Sequence, residues 1–212
     1  MSIAEAPVLT PEELLLMPDE GQGFELVHGE LREINVSKES SRASFRIAHF
    51  LELYVEAGHP GWVFGEGTSY RCFPDDPKGT RRADASFIAL DRMPVETYED
   101  EGHCTTVPDL VAEVVSPNDL AKEVEEKLDE WLAAGVKIVW IVNPETQTVR
   151  IHRLDGGYSF LHAKDTLTAE GVLPGFTCPV ANLFRKPGES VKSCPISSLQ
   201  PAKRNGVAAE TA

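Results

Sequence analysis

The chain has 212 residues, with 20 bases against 34 acids and a formal charge of −14, a length that suits one domain with extensions. A balance this acidic excludes a protein that coats nucleic acid non-specifically, because phosphate binding needs a dense basic surface. A local basic patch, or a metal that bridges carboxylates to phosphate, stays open. No apolar run approaches the roughly 20 residues a bilayer needs. The N-terminus lacks the basic start of a secretory signal, so a cytoplasmic protein with no membrane partner is expected.

Thr10 is placed to cap a short helix over 11–17, with Pro11 at its first position. FELVHGELREINV, residues 24–36, reads as a hairpin turning at Gly29. Apolar residues at Phe45, Ala48, Leu51 and Val55 predict a helix over 40–57, stopped by Gly58. Two strands are expected at 62–73 and 83–90, joined by the turn-rich PDDPKGTR. An acidic loop covers 92–107. In it, His103 next to Cys104 is the one tempting metal pair. The four cysteines show no metal-knuckle spacing, so a plain loop is favoured over zinc.

VPDLVAEVV, residues 107–115, has the Val- and Leu-rich composition of a strand buried on both faces. Ser116 is placed to cap the next helix, with Pro117 in its first turn, and Gly135 ends it. KIVWIVN then supplies another buried strand, so 107–143 is a βαβ unit whose strands run parallel. Short strands at 148–153, 158–161 and 167–173 extend the sheet antiparallel. From Arg185 onward the chain has little apolar content, so 1–185 is expected as one domain and 186–212 as a disordered tail that adds little to folding. Residues 1–184 carry 15 bases and 32 acids, a charge of −17.

Three acids, Asp84, Asp109 and Glu113, lie within or at the edge of apolar strands, where a carboxylate is costly unless it is paired or holds a metal. Alternation sets Asp109 and Glu113 on one side of their strand. Each has a plain alternative as a salt-bridge partner, Arg81 or Arg82 being candidates for Glu113. Lys127 falls about 60° from the centre of its helix's apolar stripe. It is placed either to reach Glu113 or to pair with Glu123 in solvent. If it reaches the site, Lys127→Met, which keeps the stem, is expected to leave folding nearly intact. Two acids on neighbouring strands and a lysine form a chemical kit. Carboxylates hold Mg²⁺, the metal activates water, and the lysine steadies developing negative charge.

RRADASFI, PDLVAEVVSPND, Lys127 and AGVKIVWIVNPE together resemble the Uma-two (Uma2) family, bacterial proteins of the PD-(D/E)XK, restriction-endonuclease-like superfamily. FELVHGELREI resembles that family's N-terminal hairpin and LPGFTCPVANLF its C-terminal end, so the likeness spans roughly residues 8–185. It implies an α/β fold with a central mixed sheet flanked by helices. It further implies a Mg²⁺- or Mn²⁺-dependent endonuclease acting on DNA. Asp84 matches the first metal carboxylate, Glu113 the second, and the Val114 carbonyl a third ligand, while Glu25 matches an acid that extends the metal site. The superfamily's usual lysine position is Val115 here, and Lys127 matches the family's replacement. The chain departs from the pattern at Ala83, usually proline, and at Ser44, usually histidine. Arg42, Arg46, Arg71, Lys78, Arg81 and Arg82 are the bases available to line a DNA cleft, which a homodimer would extend. The competing reading keeps the fold as a non-catalytic binding or assembly module, which an acidic surface suits.

Overall fold

The computed structural model describes residues 9–98 and 101–190. Helix α1 (Pro11–Leu15) is closed by a capping box between Thr10 and Glu13 and is shorter than the sequence predicts. Strands β1 (Phe24–Val27) and β2 (Glu30–Glu33) form the expected hairpin, with His28 and Gly29 both at positive φ in the turn. Helix α2 (Lys38–Glu56) starts at the capping residue Ser37.

The stretch predicted as one strand over 62–73 is two. Strand β3 (Gly61–Gly65) joins the main sheet, and β4 (Ser69–Tyr70) pairs instead with β5 (Arg81–Arg82). The break falls at Gly65-Glu66-Gly67, where two glycines remove the strand preference. Strand β6 (Ala85–Ala89) and β7 (Leu110–Val114) follow, then α3 (Ala121–Ala133), β8 (Ile138–Asn143), β9 (Thr148–Arg153) and β10 (Tyr158–His162).

Ser116 does not cap α3, whose N-cap is Leu120 without a side-chain bond. The SPND segment closes on itself, Ser116 donating its amide to Asp119 Oδ2 at 2.7 Å, and delays the helix. The Ser116 hydroxyl instead meets Ser40 Oγ at 2.9 Å, joining the end of β7 to the first turn of α2. Gly135, at φ +99°, ends α3 as expected.

The main sheet runs β10-β9-β8-β7-β6-β3, with β7 and β8 the parallel pair and all other neighbours antiparallel. The chain is thus an α/β protein with one mixed six-stranded sheet. Strands β11 (Thr166–Ala169) and β12 (Leu173–Pro179) form a separate hairpin rather than the sheet extension predicted at 167–173, and α4 (Ala181–Phe184) closes the described core. The hairpin's Leu167, Leu173 and Phe176 instead cover the sheet face shared with α2, where Ile47, Leu51, Ala112 and Trp140 pack. The opposite face holds Val111, Val139 and Ile141 under Leu128 and Trp131 of α3. Among the described residues no helix is long and apolar enough to cross a membrane. The expected tail lies outside the described residues except for 186–190, where Glu189 turns back to bond the Lys186 amide.

Gly61 shows how tightly β3 is laid on β6. A Cβ there would stand 2.3 Å from the Phe87 ring. Gly61→Ala is therefore expected to destabilise the fold by about 1–3 kcal/mol, measured by denaturant unfolding.

Candidate active site

Alternation along β7 sets Glu113 on the α3 face, between Ala112 and Val114 of the opposite core. On β6 the register Ala85↔Ala112 places Asp84 one step before the ladder begins, opposite Glu113. Asp84 therefore lies in the bend between β5 and β6 rather than starting a strand, and its Oδ2 accepts the Val114 amide at 2.5 Å. Asp84, Glu113, Val114, Lys127 and Glu25 all line one cavity of about 740 Å³. The sequence-derived residues are thus brought together.

Lys127 turns inward. Its Nζ lies 2.9 Å from Glu113 Oε2 and 3.0 Å from Glu25 Oε1, and donates to the Arg82 carbonyl at 2.8 Å. The ammonium's three N–H groups are matched by these three acceptors. The solvent pairing with Glu123 is not what the structure forms. The second oxygen of Glu113, Oε1, accepts from the Trp131 indole at 2.7 Å. Neither Arg81 nor Arg82 reaches Glu113. Arg81 grips Glu130 through two bonds of 2.6 and 2.7 Å and holds Glu25 Oε2 at 3.0 Å.

Glu25 lines the same cavity, where one oxygen takes Lys127 and the Arg82 amide and the other takes Arg81, so that it anchors two cations. Asp109 takes its plainer alternative, pairing with Arg92 at 3.0 Å and Lys137 at 2.7 Å. His103 is a loop residue as favoured, its ring nitrogens bonded to Ser69 Oγ and the Pro11 carbonyl, both at 2.9 Å. Ser44 is buried and donates to the Ser40 carbonyl within its own helix, and Ala83 is buried in the α3-side core.

Within the single chain most of the bases named from the sequence are engaged away from the cavity. Arg71 pairs with Glu12, Arg42 bonds the Arg185 carbonyl, and Arg46 bonds the Asn182 carbonyl over the Phe50 ring. Of the six expected bases, only Arg81 and Arg82 line the cavity. Arg82 spends its guanidinium on the carbonyls of Phe24, Gly67 and Glu20. Glu30, Glu33, Glu66 and Glu123 add further acids to the cavity wall.

Burial raises Asp84 to about 6, against the pull of Lys127 and the Val114 amide. Burial also pushes Glu113 up to about 8, opposed by Lys127 and reinforced by Asp84 and Glu25. Glu25 is also desolvated, yet Lys127 and Arg81 outweigh that cost and hold it below the usual carboxylate range. For Lys127 the desolvation penalty is overcome by Glu113, Glu25 and Asp84, which keep it protonated. Among the described residues no group of three or more His, Cys, Asp or Glu is arranged to hold a metal ion. Asp84 and Glu113 remain as two hard oxygen donors facing one polar cavity, a pair that suits a single Mg²⁺ or Mn²⁺.

Comparison with known proteins decides the family. A profile for Uma2, described as a putative restriction endonuclease, matches residues 11–181. The chain belongs to this family. No functionally curated protein matches it. Among solved structures it is similar to the crystal structure of a putative nuclease belonging to DUF820 from Anabaena variabilis. That likeness has a TM-score of 0.67 and 18% identity over 83% of this chain and 97% of that one. At that identity the likeness is one of fold alone.

Sequence reasoning missed Trp131, Glu130 and the role of Arg81. Trp131 carried a usable signal, standing four residues after Lys127 and so on the same helix face. Arg81 and Glu130 carried none, because their meeting depends on how α3 crosses β5.

Two expectations follow. The folded protein retains protons on Asp84 and Glu113 above the ordinary values of 3.8 and 4.5, up to about 6 and about 8. The native state binds more protons than the unfolded chain across that window, so stability falls as pH rises from about 4 to about 8. Thermal midpoints of the metal-free protein should show this decline, and Glu113→Gln should flatten it. Lys127→Met is now expected to destabilise by on the order of 3 kcal/mol, since it leaves Glu25 and Glu113 buried without their shared cation. Calorimetric unfolding would measure that loss, which replaces the near-neutral outcome drawn from the sequence.

Proposed function

We propose that this Uma2 protein is a Mg²⁺- or Mn²⁺-dependent nuclease that hydrolyses phosphodiester bonds of DNA at the cavity between β6, β7 and α3. The observation that carries the reading is the Lys127 ammonium, held 2.9 Å from Glu113 in the cavity that also receives Asp84. Asp84, Glu113 and the Val114 carbonyl would hold the cation, which supplies charge neutralisation of the phosphodiester and a bound water of lowered pKa. Glu25 is not taken as a ligand in this reading. It holds Lys127 by a second ion pair at 3.0 Å.

With its N–H groups committed to Glu25, Glu113 and the Arg82 carbonyl, Lys127 acts through its charge. A buried positive charge beside the reacting phosphate favours the negative charge that develops as the P–O bond breaks. The acidic wall of Glu30, Glu33, Glu66 and Glu123 means that the cleft accepts a polyanion only with bound divalent cation, or with a second copy of the chain extending the surface.

That acidic wall also favours the second reading, a binding or assembly module. Both readings meet one experiment. Nicking of plasmid and cleavage of short duplex and single-stranded DNA are measured with Mg²⁺, Mn²⁺ or EDTA. The nuclease reading expects cleavage with metal only, and a loss of roughly 10²-fold or more in Asp84→Asn. Metal-independent cleavage, or equal rates in the variant, would overturn it. No cleavage of any substrate would favour the module.

A further inference from the structure

Glu113 is bound differently at its two oxygens. Oε2 meets Lys127 on the cavity side. Oε1 meets the indole N–H of Trp131, which is 0% exposed. The Trp131 ring is held in place by Tyr70, edge-on at 5.6 Å, and by Phe73 at 4.9 Å. Tyr70 is in turn fixed by its hydroxyl, 2.6 Å from Ser86 Oγ. Helix α3 therefore delivers two donors to one carboxylate, one a charged group lining the cavity and one a neutral group locked into the core.

We infer that Trp131 is a positioning residue that keeps Oε1 of Glu113 out of the metal's reach, so that Glu113 offers a cation one oxygen, and that this selects Mg²⁺ over Ca²⁺. The inference rests on the metal reading above and adds the basis of cation choice. Mg²⁺ is small, demands near-ideal octahedral geometry and is served by single-oxygen carboxylates. Ca²⁺ tolerates irregular geometry and gains from a carboxylate that binds through both oxygens. A neutral N–H donor suits the task. An arriving cation does not repel it as it would an ammonium, and it leaves the carboxylate its charge. The indole is anchored by ring packing rather than by a mobile stem, so the carboxylate plane is set before the cation arrives.

The test uses the full chain and binding rather than turnover. Mg²⁺ and Ca²⁺ affinities are measured by titration calorimetry for wild type and Trp131→Phe, which keeps an aromatic ring against Tyr70 and Phe73 and removes the N–H. The expected result is a fall in Mg²⁺ affinity of roughly 10-fold, the scale of losing a hydrogen bond that orients a ligand. Ca²⁺ affinity should stay equal or tighten, so the Ca²⁺/Mg²⁺ preference changes by roughly 10-fold or more. A merely structural role would weaken both cations alike. Equal loss, or an unchanged ratio, would overturn the inference while leaving the metal reading standing. Absence of any binding by wild type would overturn both.

A second measurement needs no variant of Trp131. The indole ¹H–¹⁵N resonance bonded to Glu113 is identified in wild type by its shift in Glu113→Gln, then followed as Mg²⁺ is added. The inference expects it to keep its hydrogen-bonded position at saturating Mg²⁺. Movement to the position of a free indole would show that Oε1 turns to the metal, and would overturn it.

Discussion

Two buried carboxylates from distant parts of the chain share one ammonium. Glu25 comes from an N-terminal hairpin, Glu113 from the centre of the sheet, and Lys127 from the helix that crosses above both. Neither carboxylate could be taken from water alone, because the desolvation cost of an isolated ion is several kcal/mol. The cation makes their burial tolerable and thereby fixes where three separate elements meet. Arg81 repeats the device one layer out, bridging Glu25 to Glu130 of the same helix. The hairpin, β5 and α3 are pinned to one another through charge, while the apolar cores on the two sheet faces set only how the sheet and helices stack.

The arrangement also sorts the acids by environment. Glu25, met by two cations and a backbone amide, stays ionised. Glu113 and Asp84, with more burial than compensation, are held toward their protonated forms. The cavity thus sets two carboxylates short of positive charge beside one that is saturated. Perturbed groups converging on one cavity are what a functional site displays, whereas the saturated pair at Asp109 with Arg92 and Lys137 is what structural burial displays.

Much of this was readable from the residues. The βαβ unit followed from two Val- and Ile-rich runs around an amphipathic helix, and the parallel pairing of β7 with β8 agrees. The acids inside apolar strands marked Asp84 and Glu113, and helical spacing brought Lys127 toward them. What stayed hidden depended on tertiary geometry. Ser116 looks like a helix cap because caps are local, yet its hydroxyl goes to Ser40, 76 residues earlier in the chain. The basic residues look like a cleft in one dimension, but Arg42, Arg46 and Arg71 each find a carbonyl or carboxylate nearby and turn away from the cavity. The strand predicted at 167–173 has the right composition and the wrong partner, since period-two patterning says which face is apolar and not which sheet it joins.

Three of the bonds that assemble the cavity span long stretches of chain. Arg81 and Glu25 are 56 residues apart, Arg81 and Glu130 are 49, and Lys127 and Arg82 are 45. Each closes a loop whose entropy must be lost before the contact returns anything, so these contacts belong to the late part of folding. A fragment that ends before Lys127 lacks the ammonium that Glu25 and Glu113 share. The cavity is therefore a property of the finished domain, and a proteolytic fragment carrying Asp84 and Glu113 alone inherits the acids without the charge that organises them.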